Sequence, residues 1–345
     1  MRALAGKARG YMGRYMDRRR LDADLRWRRP PKLLVHPASG SPTVYYLVPH
    51  LTEPAGGVRV MYRHVDLLNE MGVKAAVLHD AEGFRAGWFV NDTRIVYPGG
   101  LTLCEDDILV VPECYGPGLH LLPASARKLI FNQAAYHTFD LLPVGVNPYK
   151  DVPNLLGMMA VSRDNLELLS FSFPGLAAWG TRPVIDAKIF HRGPQPLQRR
   201  LAFMPERREA ERHQLLHMLA ARGVDWELVP ISGRTEAEVG AILRECAIFL
   251  SFSEREGFGL PPAEAMASGC YVIGYDGGGG REFFDPAYCC PVADQASFAR
   301  AVVEATARPL EELQSLGAKA SEQVLGMYTV GGLRADLRAV YERFV

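Results

Sequence analysis

The sequence predicts an α/β protein built on two parallel sheets, and three observations carry that expectation. Strand-length apolar runs alternate with helical segments along most of the chain, a rhythm that implies right-handed βαβ units. The rhythm runs in two successive series with no repeat of solenoid length between them. A chain of 345 residues with 48% hydrophobic composition can also bury two cores of ordinary size.

In the first series Val44 to Pro49 reads as a strand, His50 to Gly57 as a loop, and Val58 to Met71 as a helix closed by Gly72. Lys74 to His79, Ile108 to Pro112 and Lys128 to Asn132 read as further strands, and Gly157 to Ser162 leads into a helix over 163–170. The second series comprises strands at Leu201 to Met204, Trp226 to Ile231, Ala247 to Phe252 and Tyr271 to Tyr275, with helices between them and a final helix over about 331–344.

Charge is balanced overall but not along the chain. Residues 1–32 hold eleven Lys/Arg against Asp17, Asp22 and Asp24, a net +8, and the remainder carries −8. Within this leader Leu4, Ala8, Tyr11, Met12, Tyr15 and Met16 recur at helical period, with most of the basic residues off the stripe. A basic amphipathic helix over residues 1–30 can lie on an anionic membrane surface, pack on its own protein or stay loose, and the sequence leaves all three open. No apolar run approaches the ~20 residues that cross a bilayer, and the N-terminus lacks the apolar core of a secretory leader. The expected location is cytoplasmic, with the inner face of the cell membrane as the alternative. The six cysteines show no Cys-x-x-Cys spacing and read as buried reduced thiols. Asp22-x-Asp24 and Asp106-Asp107 read as surface acids, so no metal and no other cofactor is expected, and no nucleic-acid partner.

The most informative stretch is Ser253-Glu254-Arg255-Glu256-Gly257-Phe258-Gly259-Leu260-Pro261-Pro262-Ala263-Glu264. Pro261 and Pro262 suit only a first helical turn, so a helix begins near Leu260, with Glu256 in the preceding loop and Glu264 just past its start. Both carboxylates then stand at the carboxyl end of a parallel strand, where open α/β sheets bind ligands. A carboxylate there can accept the vicinal hydroxyls of a ribose, while the helix N-terminus serves a diphosphate. Downstream, Tyr271 to Tyr275 leads into Asp276-Gly277-Gly278-Gly279-Gly280-Arg281-Glu282.

These thirty residues resemble the Glu-x7-Glu signature and the Gly-Gly-x-x-Glu turn of family-four retaining glycosyltransferases. That resemblance implies the GT-B architecture, two Rossmann-like domains facing across a cleft. It also implies a donor site formed by Gly257, Phe258, Gly259, Leu260, Glu264, Gly278, Gly279 and Glu282, with Glu264 on the ribose and Glu256 near the transferred sugar and phosphates. Val184 to Phe190 resembles the family's interdomain Val-Asp-x-x-x-Phe element. The implied division is a 1–42 extension, an acceptor domain over 43–183 joined by the helix of 331–345, and a donor domain over 184–330.

The same resemblance marks four further places. Gly56 and Gly57 open a helix after the first strand, as in the family's phosphate-approaching glycine loop; the longer dinucleotide fingerprint is missing here. Arg207 and Arg208 follow the first strand of the second series, where the family places an Arg and a Lys on the diphosphate; Glu206 disturbs that order and leaves open which one points inward. Glu113 ends the strand Ile108 to Pro112, where many members have a histidine against the sugar. Asn132, Gln133 and His137 follow the next strand and face the acceptor side. Glu256, Glu113 and Arg207 are thus the candidate catalytic residues. The implied activity is metal-independent transfer of a sugar, with retention, from a nucleotide diphosphate to a glycan or lipid-linked saccharide. A nucleotide-sugar epimerase or hydrolase on the same architecture, or a non-catalytic partner subunit, are the competing expectations.

Overall fold

The computed structural model describes residues 28–345 apart from 141, 195 and 196. The leader helix expected over residues 1–30 therefore lies almost wholly outside the described residues. The first lobe contains β1 (Val35–His36), β2 (Val44–Leu47), α1 (Gly56–Glu70), β3 (Ala75–Leu78), β4 (Ile95–Val96), β5 (Leu103–Cys104), β6 (Ile108–Pro112), β7 (Arg127–Asn132), β8 (Leu155–Ala160), α2 (Arg163–Ser172) and β9 (Ala178–Gly180). Among the described residues β1 pairs only with β5, while the other seven strands of this lobe form one parallel sheet in the order β4-β3-β2-β6-β7-β8-β9.

The second lobe contains β10 (Gln198–Phe203), α3 (Glu209–Ala221), β11 (Glu227–Pro230), α4 (Glu236–Leu243), β12 (Cys246–Phe252), α5 (Leu260–Ala267), β13 (Tyr271–Tyr275), β14 (Cys290–Pro291), α6 (Gln295–Thr306) and α7 (Leu310–Met327). Its five parallel strands run β11-β10-β12-β13-β14. Every residue of β2, β3, β6, β12 and β13 is buried, because helices cover both faces of each sheet; this is why these strands read as unbroken apolar runs.

Local chemistry sets the helix ends. Thr235 and Glu238 close a capping box at the start of α4, Asp294 caps α6 through the Ser297 amide, and Gly72 at φ 84° ends the turn after α1. The last helix, α8 (Val330–Tyr341), is capped by Thr329 and packs on α1 and β9 of the first lobe. Its Tyr341 hydroxyl meets that of Tyr46 on β2 at 2.9 Å, and Tyr46 reaches His64 Nδ1 of α1 at 3.0 Å. Leu333, Leu337, Val340 and Tyr341 are buried along one face, each contributing about 1.5–3 kcal/mol through removal from water. One apolar cluster runs unbroken from β2 and α1 through α8 to α5 and α7, so the two lobes share a core.

Two sequence-level readings need correction here. Asp107 is not a surface acid: it is buried and accepts the Thr43 and Cys104 amides, each at 2.7 Å, tying β6 to the chain around it. Asp106 does accept amides from Ser39 and Gly40 at 2.8 Å, the work of a turn residue. The cysteines are all free, with Cys246, Cys270 and Cys289 buried and the others half-buried. Among the described residues no helix is long and apolar enough to cross a membrane.

Candidate active site

Each of the two large sheets has a switch point where successive connections leave in opposite directions, and ligands bind in the crevice outside such points. In the second lobe it lies between β10 and β12, and the loops leaving those strands carry Arg207 and Glu256. Their side chains meet across it at 3.4 Å, Arg207 mostly in water and Glu256 mostly shielded. In the first lobe it lies between β2 and β6, whose following segments carry Gly56, Gly57 and Glu113. Gln133, just past β7, ties this end together: its amide donates to Glu113 at 3.1 Å and its Nε2 to the Gly57 carbonyl at 3.1 Å.

The two lobes meet at close range where their switch points face each other, along a seam. A Cβ on Gly257 would lie 1.6 Å from the Gln133 carbonyl oxygen, so only glycine fits there. The Gly257 carbonyl accepts from Asn165 Nδ2 at 2.7 Å, and Asn165 also receives the Ala135 amide. Gly56 abuts Leu260 Cδ1, and Gly278, at φ 86°, abuts the Tyr136 hydroxyl. The Glu256 loop is fastened to the glycine turn by its own backbone, with the Glu256 amide on the Gly277 carbonyl at 2.8 Å and the Gly279 amide on the Glu256 carbonyl at 3.2 Å. Gly259, in the left-handed region at φ 95°, turns this loop into α5. Glu264, buried in α5, accepts from Arg59 Nη2 of α1 at 2.6 Å, and the same guanidinium pairs with Glu236 of α4.

Four of the expected site side chains are used elsewhere. Phe258 is a core residue, with ring centroids 5.0 Å from Phe283 and 4.7 Å from Tyr328. Glu282 bridges the lobes: it accepts the Arg163 amide at the start of α2 and the Tyr328 hydroxyl, both at 2.7 Å. Arg208 is a strut, with Nε on the Ser253 carbonyl at 3.0 Å, Nη1 on Glu211 at 2.8 Å and its guanidinium over the Tyr275 ring. Asn132 is fully buried and donates to Thr138 at 2.6 Å. Of the two arginines, Arg207 is the one that pairs with Glu256. Half-exposed His137 pairs with Asp140.

Burial pushes the Glu113 carboxyl up to about 7; the Gln133 amide and the nearby cations His137 and Arg28 only partly offset it. Burial also raises Glu236, opposed by the charge of Arg59. The seam thus holds one carboxyl that burial pushes up to about 7, beside carboxyl groups paired with guanidinium groups.

The segment 208–323, which contains Glu256, Glu264 and the glycine turn, matches the family model described as Glycosyl transferases group 1. That match lies wholly within the second lobe. A curated relative named α-1,6-glucosyltransferase, from Actinobacillus pleuropneumoniae serotype 7, is 28% identical over 243 residues, covering 64% of this chain and 69% of the relative. Solved structures of similar shape include a sucrose-phosphate synthase from Thermosynechococcus elongatus, with a TM-score of 0.62, 12% identity and coverage of 88% and 98% of the two chains. A protein from Anabaena in complex with UDP and glucose superposes with a TM-score of 0.64, 11% identity and coverage of 87% and 99%. The fold of this glycosyltransferase is GT-B.

Sequence reasoning did not find Arg59, Glu236 or Asn165, all central to the seam. Arg59 left a usable signal: it follows Gly56 by three residues and precedes Arg63 by four, which puts all three on one face of α1. Asn165 and Glu236 sit in ordinary first-turn positions and left none.

Proposed function

We propose that this glycosyltransferase moves a sugar, with retention of anomeric configuration and without a metal, from a nucleoside diphosphate to a glycan or lipid-linked saccharide. The observation that carries this reading is the meeting of both switch points at one seam, with Glu256, Glu264 and Arg207 from one side and Glu113 with the Gly56-Gly57 helix start from the other. Glu264 would accept the ribose hydroxyls, and the amides at the start of α5 would serve the diphosphate. Arg207 would leave Glu256 to meet the charge building on the departing phosphate. The acceptor hydroxyl oxygen bonds to the anomeric carbon as the bond to the diphosphate breaks. The bonding pair leaves with the diphosphate, and a phosphate oxygen takes the hydroxyl proton. Charge stabilisation and positioning together must supply well over ~8 kcal/mol. Glu113, close to half protonated at neutral pH, can donate to or accept from a sugar hydroxyl at that carbon's neighbourhood.

The relative's name and the Anabaena complex make UDP-glucose the first donor to test. In a thermal-shift panel of UDP, GDP, ADP and dTDP, one nucleotide at a hundred times its Kd should stabilise the protein by ~2.7 kcal/mol. Glu264→Ala should abolish that shift while leaving the fold intact by circular dichroism; a full shift in the variant overturns the ribose assignment. Product analysis separates transfer from its rivals: sugar on an acceptor supports the proposal, whereas free sugar or an epimer replaces it. The basic leader is proposed to rest on anionic lipid at the inner membrane face, bringing the seam to a lipid-linked acceptor.

A further inference from the structure

Arg59 occupies an unusual position for a charged side chain. It projects from the first lobe, is only 16% exposed, and holds two carboxylates of the second lobe at once, Glu264 at 2.6 Å and Glu236 at closer range. Glu264 is itself only 8% exposed, so the guanidinium is what screens its charge. The other seam pair is different in kind: Arg207 is 58% exposed and meets Glu256 at 3.4 Å, a contact that water and salt weaken.

If Glu264 takes the ribose, as the proposed function has it, the carboxylate cannot serve a pair of sugar hydroxyls while an arginine holds it. Nucleotide entry must then displace Arg59. A shielded guanidinium left without a partner is strongly unfavourable, so such an exchange works only if a second anion retains it. Glu236 is that second anion, and Asp186, held by Arg63 at 3.2 Å, lies on the same side.

We propose that Arg59 is a positioning residue that gates the donor site: without nucleotide it locks the lobes by covering Glu264, and the incoming ribose takes Glu264 while Arg59 stays on Glu236. One guanidinium shared by two carboxylates is what such an exchange requires. One carboxylate is released to the ligand and the other remains to hold the charge.

Isothermal titration of the full chain with UDP, GDP, ADP and dTDP tests this in wild type, Arg59→Ala, Arg59→Lys, Glu236→Gln and Glu264→Ala. Removing the competitor in Arg59→Ala should tighten nucleotide binding roughly tenfold, and Arg59→Lys, which reaches one carboxylate, should fall between. Glu236→Gln should weaken binding roughly tenfold, because the displaced guanidinium then has no full charge to rest on. Small-angle scattering of nucleotide-free Arg59→Ala should show a larger radius of gyration. A merely structural arginine would give that opening without any gain in affinity, and equal or weaker binding in a folded Arg59→Ala overturns the gate. Should that variant fail to fold, Glu236→Gln decides alone, and unchanged or tighter binding there overturns it. If no protein in the series binds any nucleotide, or Glu264→Ala binds as wild type does, the ribose assignment falls and the gate with it. If wild type binds and Glu264→Ala does not, that assignment stands whatever Arg59 does.

Discussion

Glu113 is the residue whose environment makes the sharpest demand. Its carboxyl titrates near 7 in the fold because burial penalises its charged form, against an ordinary value of 4.5. A carboxyl raised by folding binds its proton more tightly in the native state than in the unfolded one. The stability it contributes is fully present below about pH 4.5 and is lost as pH rises through about 7. At about 1.4 kcal/mol per unit the loss is roughly 3 kcal/mol. His64 and His79, held down to about 3 and about 4 by burial, act the other way and destabilise the fold as pH drops below 6.5. Wild type therefore hides the Glu113 signal, and a difference curve recovers it. Urea unfolding between pH 4.5 and 8 should show Glu113→Gln gaining on wild type by roughly 3 kcal/mol as pH rises, since glutamine keeps the neutral form. A pH-independent difference would mean the carboxyl is not buried as the fold places it.

At the scale of elements, what the sequence revealed and what it hid have separate physical causes. The strands Ile108–Pro112 and Tyr271–Tyr275 and the start of α5 at Leu260 were legible with their bounds, because buried apolar runs and a Pro261-Pro262 pair admit few other conformations. β4, β9 and β14 span two or three residues each and are too short to show a period. The 3₁₀ segment Glu113–Leu121, interrupted by Pro117, follows no amphipathic pattern at all. Motif spacing located the loop around Glu256 and Glu264 but could not tell which way a side chain points. Phe258 shows the consequence, since it lies within the motif and yet its ring belongs to the core with Phe283 and Tyr328. Phe258→Ala should cost about 3–5 kcal/mol in urea unfolding, the range for truncating a buried phenylalanine. Nucleotide affinity per folded molecule should stay within about twofold. A stable variant with lost affinity would return the ring to the donor site.

The whole molecule is organised by contacts between its lobes and by an uneven distribution of charge. The shared core through α8 and the seam at Gly257 bring two Rossmann-like sheets into one closed body, which no local pattern in the chain encodes. Charge, by contrast, was readable from the first line: residues 1–27 contain eight Lys/Arg and three Asp, and without them the chain is net −5. The acidic body would be repelled by an anionic bilayer, so any attraction must come from the leader, at about 1 kcal/mol per basic residue near the surface. Flotation with vesicles containing phosphatidylserine should bring up the full chain at low salt and release it as salt screens the charges. A chain lacking residues 1–27 should stay unbound at every salt concentration, with its unfolding temperature unchanged. The same variant separates the three roles open to the leader. A lowered unfolding temperature with no vesicle binding by the full chain would assign the helix to its own protein. No effect in either assay would leave it a loose basic arm, and the acceptor would then reach the seam from solution.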